Sequence, residues 1–302
     1  MHRLQAARGN ARAPGRQVAP RRFDNPSFRP FPIRSVDNRP IAVFDSGIGG
    51  LTVVRALLER LPNERIVYFG DTARVPYGVK SEATITHYAA QIVRFLLSRQ
   101  VKLLVVACNS MAAVARDVVH ELSPVPVLDV LAAGALRAHQ VSRNRAVGVI
   151  GTPATVGSGA YTRALHGHDP ALRVVSKACP LFVPLAEEGW FDHEVTRLTA
   201  QEYLAPVQAQ GVDTLILGCT HYPLLKPVLA KVVGEDIALV DSAEPIAEQA
   251  LALLAGSGLE AGRAGPPAHE YYVTDLPSRF RAVGERFLGR SLENVERVHL
   301  PE

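Results

Sequence analysis

The feature that most constrains the fold is an alternation, from residue 40 onward, of short apolar runs with stretches of helical periodicity. The apolar runs are nearly continuous, as expected for strands buried on both faces of a parallel sheet. Helical stretches such as 51–60, 83–99 and 111–121 lie between them. This alternation predicts a doubly wound α/β fold. Nine strands are predicted, at 41–44, 66–69, 103–107, 125–128, 146–150, 174–177, 214–217, 238–240 and 271–274.

The two halves of this pattern resemble each other weakly. Leu-Leu-Val-Val-Ala-Cys-Asn at 103–109 resembles Thr-Leu-Ile-Leu-Gly-Cys-Thr at 214–220, and the strand and turn at 41–50 resemble 146–157. The alternative is that buried strands look alike without any repeat. Several matches at a similar offset favour two α/β halves of similar topology. A chain of 302 residues, 47% of them hydrophobic, also fits two domains better than one.

Charge separates residues 1–39 from the rest of the chain. This segment is rich in Arg and Pro, which predicts a disordered extension or a start codon placed too far upstream. A transit peptide is the alternative, although the segment has few Ser and no clear amphipathic helix. Residues 1–40 contain nine Arg, no Lys and two Asp, so they carry +7 and the remainder carries −3. The body therefore gives no sign of a nucleic-acid surface.

The sequence also limits the compartment and the cofactors. No apolar run approaches the roughly 18 residues that a membrane span needs, so a soluble protein is predicted. The cysteines are an odd, sparse set of three, unlike a disulfide framework. Their spacing does not suggest a zinc site. We expect free thiols in a reducing compartment, the cytoplasm, and no metal.

Cys108 and Cys219 occupy equivalent positions, each after a predicted buried strand and before a helix. Ligands of open α/β sheets bind beyond the carboxyl ends of strands. Helix N-terminal N–H groups there favour a thiolate. Either cysteine alone could be a packing residue, because free Cys is often buried. Cys179, which has no counterpart and precedes Pro180, is interpreted as structural.

The pairing of the two cysteines favours chemistry. If the two halves face each other across a cleft, one thiolate can remove a proton from a carbon atom while the opposite thiol supplies one. Such an exchange inverts a stereocentre without a cofactor. An unperturbed thiol has a pKa near 8.5, so one ionised and one protonated member are reasonable at neutral pH.

Glycine-rich and polar segments follow the first two strands. The glycines at 47–50 let the backbone approach a ligand, although a simple tight turn or a phosphate loop are alternatives. The pattern is neither GxGxxG nor a Walker A motif. Asp45 lies where it could meet a thiol or a substrate ammonium group. The loop at 70–78 would bring Tyr77 and Gly78 to a ligand, although such loops are more often structural.

Four polar residues directly follow the cysteines: Asn109, Ser110, Thr220 and His221. They offer amide, hydroxyl and imidazole groups that can hold a carboxylate. His221 could also tune Cys219 or relay its proton. A lone histidine is usually solvated or satisfied, but this position two residues after Cys219 favours a functional role.

Together these segments resemble the glutamate racemase family. The resemblance runs from about residue 40 to about residue 289, in the family's order. The segments that carry it are DSGIGGLT at 45–52, GDTARVPYG at 70–78, ACN at 107–109, GTPAT at 151–155, ACPLFVPL at 178–185, LGCTHYP at 217–223 and DSA at 241–243.

The resemblance implies interconversion of L- and D-glutamate without a cofactor, supplying D-glutamate for peptidoglycan. Cys108 and Cys219 would be the two bases, assisted by Asp45 and His221, and Glu187 matches a further acidic residue near the second thiol. The positions that match substrate contacts are Asp45, Ser46, Tyr77, Gly78, Asn109, Ser110, Thr220 and His221. Ser110 departs from the family's usual Thr, which keeps the hydroxyl and removes a methyl group.

The resemblance also implies two pseudo-symmetric domains with the active site in the cleft between them. The first would comprise residues 40–133 plus 241–302 and the second residues 134–240. A homodimer is expected, and DNA gyrase is a second partner of some relatives. Alternatives are an aspartate racemase, a hydantoin racemase, a decarboxylase, or a regulatory protein that retains the fold and uses its Arg-rich extension on an acidic partner. The presence of both cysteines favours an enzyme.

Overall fold

The chain is built on parallel strands, and the computed structural model describes residues 36–262 and 267–301. The strands of that part are β1 (Ile41–Asp45), β2 (Ile66–Gly70), β3 (Leu103–Val106), β4 (Val127–Asp129), β5 (Ala146–Gly151), β6 (Arg173–Ala178), β7 (Thr214–Gly218), β8 (Ala238–Val240), β9 (Glu270–Val273) and β10 (Val295–Arg297). They form two sheets, one in the order β10-β9-β2-β1-β3-β4 and the other in the order β6-β5-β7-β8. Every neighbouring pair is parallel.

Helices connect these strands. They are α1 (Leu51–Arg60), α2 (Glu82–Leu97), α3 (Asn109–Val114), α4 (Arg116–Leu122), α5 (Val130–Val141), α6 (Pro153–Gly157), α7 (Ala160–His168), α8 (Phe182–Glu187), α9 (Glu194–Gln208), α10 (Lys226–Val233), α11 (Ala243–Ser257) and α12 (Pro277–Leu288), with short 3-10 helices at Tyr77–Val79 and Tyr222–Leu225. Across the described ranges, none of them combines the length and apolarity needed to cross a membrane.

The two sheets share one topology. In the first sheet β2, β1, β3 and β4 lie side by side in that order, and in the second β6, β5, β7 and β8 do the same. The predicted α/β fold and its two similar halves are confirmed. Cys108 follows β3 and Cys219 follows β7, so the two cysteines occupy the same place in each half.

The burial of the strands explains why their sequences are so apolar. All residues of β1, β2, β3, β5 and β7 are buried, because helices cover the faces and other strands cover the edges. The edge strand β6 is half-buried and contains polar residues. All nine predicted strands are present within two residues of their expected bounds. The short strand β10 was missed, because Val-Glu-Arg has no apolar pattern and pairs only with β9.

The helix predicted at 111–121 differs from the observed structure. It is divided at Ala115, and its first part begins two residues earlier, at Asn109. Cys108 is thereby the N-cap residue of α3. The thiol of Cys108 consequently lies directly at the start of a helix, rather than three residues before it.

The predicted domain boundaries stay a prediction. The strands of the first sheet fall within residues 40–133 and 241–302, and those of the second fall within 134–240. The described residues nevertheless belong to one compact unit. Residues 1–35 of the predicted extension lie outside the described residues. Residues 36–39 contact the fold, since the N–H of Asp37 donates to the carbonyl of Glu260 at 3.1 Å.

A buried ion pair holds this entry segment. Lys102, which precedes β3 and is completely buried, lies 2.6 Å from Glu64 Oε2. Its Nζ also donates to the carbonyls of Asp37 at 2.7 Å and Leu259 at 2.6 Å. The other carboxylate oxygen of Glu64 accepts from the N–H of Ala261. One ammonium group thus fastens the chain before β1 and the chain after α11 to the same point.

We expect Lys102→Met to lower the free energy of unfolding by about 3–5 kcal/mol, because it leaves the Glu64 carboxylate buried without a cation. Urea denaturation measures the change. Lys231→Met is the control, since Lys231 and Asp192 form an exposed pair, and such pairs contribute at most about 1 kcal/mol. Equal, small losses in the two variants would contradict the role given to Lys102.

Candidate functional site

A cavity of about 180 Å³ lies at the carboxyl ends of strands from both sheets, and both Cys108 and Cys219 line it. Ten of the predicted site residues contribute to its wall: Ser46, Tyr77, Gly78, Cys108, Asn109, Ser110, Glu187, Cys219, Thr220 and His221. We call this space the inter-sheet cavity. Asp45 is absent from the wall that the described residues form.

Apart from Gly47, which belongs to the predicted glycine turn, the rest of the wall was not predicted. It consists of Gly47, Ile48, Val75, Pro76, Val79, Thr152, Pro153, Pro180, Val183 and Pro184. Thr152 follows β5, the equivalent of β1, and Pro180 follows β6, the equivalent of β2. The internal repeat could therefore have indicated these positions. Most of these side chains are apolar, so this part of the wall offers water few hydrogen-bonding partners.

Cys108 is a buried thiol in this structure. Burial raises the pKa of Cys108 to about 12, and the neighbouring Asp45 carboxylate adds to this effect. Hydrogen bonds from Met111 and Ser46 oppose the rise without cancelling it. The Sγ of Cys108 donates to Ser46 Oγ at 3.6 Å. The helix N-terminus favours the thiolate as predicted, since the backbone hydrogen bond from Met111 lowers the pKa of Cys108, but desolvation outweighs this effect.

Cys219 has a different set of neighbours. Its Sγ lies 3.8 Å from Nδ1 of His221, and Nε2 of His221 lies 3.1 Å from Oε1 of Glu187. The three groups lie in a row, with the imidazole between the carboxylate and the thiol. In this arrangement the carboxylate orients the histidine toward a sulfur atom that acts as a nucleophile or a base. It supports the predicted proximity of all three residues.

The imidazole of His221 is protonated at neutral pH. Burial lowers its pKa, but hydrogen bonds with Cys219 and Glu187, together with the negative charge of Asp45, raise it to about 10. The same contact with His221 lowers the pKa of Glu187. The protonated ring carries one N–H toward Glu187 and another toward Cys219. The two cysteines thus differ: Cys108 faces a carboxylate, whereas Cys219 faces an imidazolium.

Asp45 lies behind the wall and is almost completely buried. Its Oδ2 accepts from the N–H of Gly47 at 3.0 Å, which shapes the turn after β1. Its charge reaches both Cys108 and His221. Contact of Asp45 with a substrate stays a prediction.

Gly49 allows the turn after β1 to approach the turn after β7. A Cβ atom at Gly49 would lie 2.2 Å from Thr220 Oγ1 and 2.5 Å from His221 Nδ1. No side chain can occupy that space. The hydroxyl of Thr52 also donates to the carbonyl of Thr220 at 3.1 Å, so the two turns are fastened together.

The remaining polar side chains of the wall are held by one another. Tyr77 donates its hydroxyl to Asp71, and Ser110 Oγ lies 3.0 Å from Thr152 Oγ1. Asn109 Oδ1 accepts from the hydroxyl of Tyr161 at 2.7 Å. The Asn109 amide and the hydroxyls of Ser110 and Thr152 are thereby preorganised for an anionic ligand, whereas the O–H of Tyr77 is already donated to Asp71. Among residues 36–262 and 267–301, no three His, Cys, Asp or Glu side chains are grouped so that they could hold a metal ion.

Comparisons with known proteins agree with this geometry. A family model described as Asp/Glu/Hydantoin racemase matches residues 48–250. A glutamate racemase of Syntrophus aciditrophicus is 63% identical over 266 residues, 88% of this chain and 98% of the relative. A glutamate racemase of Neisseria meningitidis is 56% identical over 87% of this chain and 97% of the relative.

Among solved structures, a glutamate racemase from Francisella tularensis in complex with D-glutamate superposes with a TM-score of 0.83. It is 44% identical, and the match covers 88% of this chain and 99% of that one. The fold is that of the glutamate racemases. This chain belongs to the Asp/Glu/hydantoin racemase family, and its similarity within that family is to the glutamate racemases.

We expect Glu187→Gln to lower the pKa of His221, because the neutral amide no longer stabilises the imidazolium. NMR titration of the imidazole measures this change in pKa.

The charge of His221 also makes the stability of the fold depend on pH. Because the pKa of His221 in the folded protein, about 10, lies above the ordinary value of 6.5, the stability that this charge contributes is complete below pH 6.5. It is lost as the pH rises through 10.

Glu188→Gln is the matched control for this titration. Glu188 is the next residue along the chain and is exposed. It should leave the pKa of His221 unchanged. If both substitutions left that pKa unchanged, Glu187 would not be the partner that holds the proton on His221.

Proposed function

We propose that this chain interconverts L- and D-glutamate, using Cys108 and Cys219 as two bases and no cofactor. The observation that carries the proposal is that two thiols, from equivalent strands of two similar sheets, line one cavity. The likeness to a Francisella racemase bound to D-glutamate supports glutamate as the substrate. The alternative substrates are aspartate and hydantoins.

The reaction needs its two bases in opposite protonation states. Burial and Asp45 keep the proton on Cys108, so Cys108 is the acid of the resting enzyme. Cys219 lies beside the protonated His221 and is the base. A histidine beside the sulfur is the usual arrangement of an activated cysteine.

One turnover moves two protons. The Cys219 thiolate takes the α-proton, and the electron pair left on the α-carbon spreads into the substrate carboxylate. The Cys108 thiol then gives its proton to the opposite face of that carbon. The enzyme is left with a Cys108 thiolate and a Cys219 thiol, and it catalyses the reverse direction from this state.

The weak acidity of the α-carbon is the physical difficulty. A base held against that carbon in a cavity partly lined by apolar side chains gains from positioning. Donors around the substrate carboxylate stabilise negative charge as it develops. The hydroxyls of Ser46, Ser110, Thr152 and Thr220 are available in the wall for this purpose, whereas the amide of Asn109 is available to bind the carboxylate equally in the ground state and the transition state.

The wider role we propose is the supply of D-glutamate for peptidoglycan. Its support is the similarity to the glutamate racemases. The homodimer, the contact with DNA gyrase and the cytoplasmic location stay predictions.

The first experiment incubates the purified, reduced protein with D-glutamate in D2O without added cofactor. Circular dichroism should show loss of the optical signal, and mass spectrometry should show deuterium at the α-position of the product. If glutamate were unchanged while aspartate or a hydantoin lost its signal, the substrate assignment would be wrong.

The second experiment replaces each cysteine separately. Cys108→Ser and Cys219→Ser should each lower kcat by roughly 10²- to 10⁴-fold, the usual contribution of a general acid or base. Cys179→Ala is the control, because the Cys179 side chain is buried away from the cavity wall. If the Cys108→Ser variant exchanged the α-proton of both enantiomers at the normal rate, the two-base mechanism would be wrong.

A further inference from the structure

Tyr161 lies between the two turns that carry the cysteines. It is the second residue of α7 and only 2% exposed. A Cβ atom at Gly218 would lie 2.9 Å from Tyr161 Cε2, so the ring packs directly on the residue before Cys219. The ring therefore limits where the turn after β7 can lie.

The hydroxyl of the same side chain reaches the other turn. It donates to Asn109 Oδ1 at 2.7 Å, and Asn109 directly follows Cys108. A carboxamide is planar, with oxygen and nitrogen on opposite sides. With Oδ1 directed at Tyr161, the two N–H groups of Nδ2 point away from it, and the Asn109 side chain lines the inter-sheet cavity.

Helix α5 also packs against the Tyr161 hydroxyl. A Cβ atom at Gly134 on α5 would lie 3.3 Å from Tyr161 Oη. Burial raises the pKa of Tyr161, so the hydroxyl keeps its proton at neutral pH. The Tyr161 hydroxyl is therefore always a donor to Asn109, and its position is fixed. This hydrogen bond determines which way the amide of Asn109 is oriented.

We propose that Tyr161 is a positioning residue for racemisation, which holds the Asn109 amide with its N–H groups toward the substrate carboxylate and fixes the Cys219 turn relative to the Cys108 turn. This inference rests on the proposed function. Tyr161 itself forms no part of the cavity wall that the described residues define. It acts through Asn109, which follows Cys108, and through Gly218, which precedes Cys219.

Tyr161→Phe removes the hydroxyl and keeps the ring on Gly218. We expect KM to rise about tenfold for both enantiomers, with kcat changed less than threefold. The reason is that a contact to the carboxylate made equally in the ground state and the transition state affects KM alone. The control is Tyr272→Phe, which removes a partly buried hydroxyl that donates to Glu270 in β9. It should leave both constants unchanged.

A double-mutant cycle separates this role from a structural one. If Tyr161 acts through Asn109, then Tyr161→Phe adds no further rise in KM to an Asn109→Ala chain. Effects of the two substitutions that multiply independently would overturn the inference. An unchanged KM in Tyr161→Phe would overturn it as well.

Asn109→Asp provides a test that does not depend on the folding of a Tyr161 variant. Its carboxylate still accepts from Tyr161 but has no N–H to donate and repels the substrate carboxylate, so KM should rise at least as much as in Asn109→Ala. A wild-type KM in Asn109→Asp would count against the inference. A wild-type chain that racemises nothing would overturn the proposed function together with this inference, whereas an active chain with additive effects would overturn the inference alone.

Discussion

The site depends on the close approach of two similar strand arrangements. Parallel strands place all their carboxyl ends at one edge, and four strands of the first sheet lie in the same order as the four strands of the second. The turns after β3 and β7 therefore reach one cavity, each with a cysteine. The approach requires glycine where the turns meet, and Gly49 leaves no room for a Cβ against Thr220 and His221.

The symmetry of the backbone is not shared by the charges. A carboxylate lies beside Cys108, and an imidazolium lies beside Cys219. Two thiols with identical surroundings would have the same pKa, so neither would be favoured as the acid or as the base. Different neighbours around equivalent thiols favour one acid and one base at the same pH, which is what inversion of a stereocentre requires.

Polar contacts keep this arrangement rigid. Lys102 and Glu64 hold the chain segments that flank the first sheet, far from the cavity wall. Close to the wall, Tyr161 joins α7 to the Asn109 amide across the two halves. In each case a buried polar group forms hydrogen bonds with segments that are distant in the sequence. A buried polar group without such a partner would lower the stability of the fold.

The sequence by itself determined the α/β class, the two similar halves and the position of both cysteines. Those features depend on local patterns, namely apolar runs and the residues that follow them. Only the tertiary structure decided that Asp45 lies behind the wall, that Val75 and Val183 form part of it, and that Cys108 is a thiol of high pKa. Desolvation and contacts such as that of Tyr161 with Asn109 arise only when distant segments pack together.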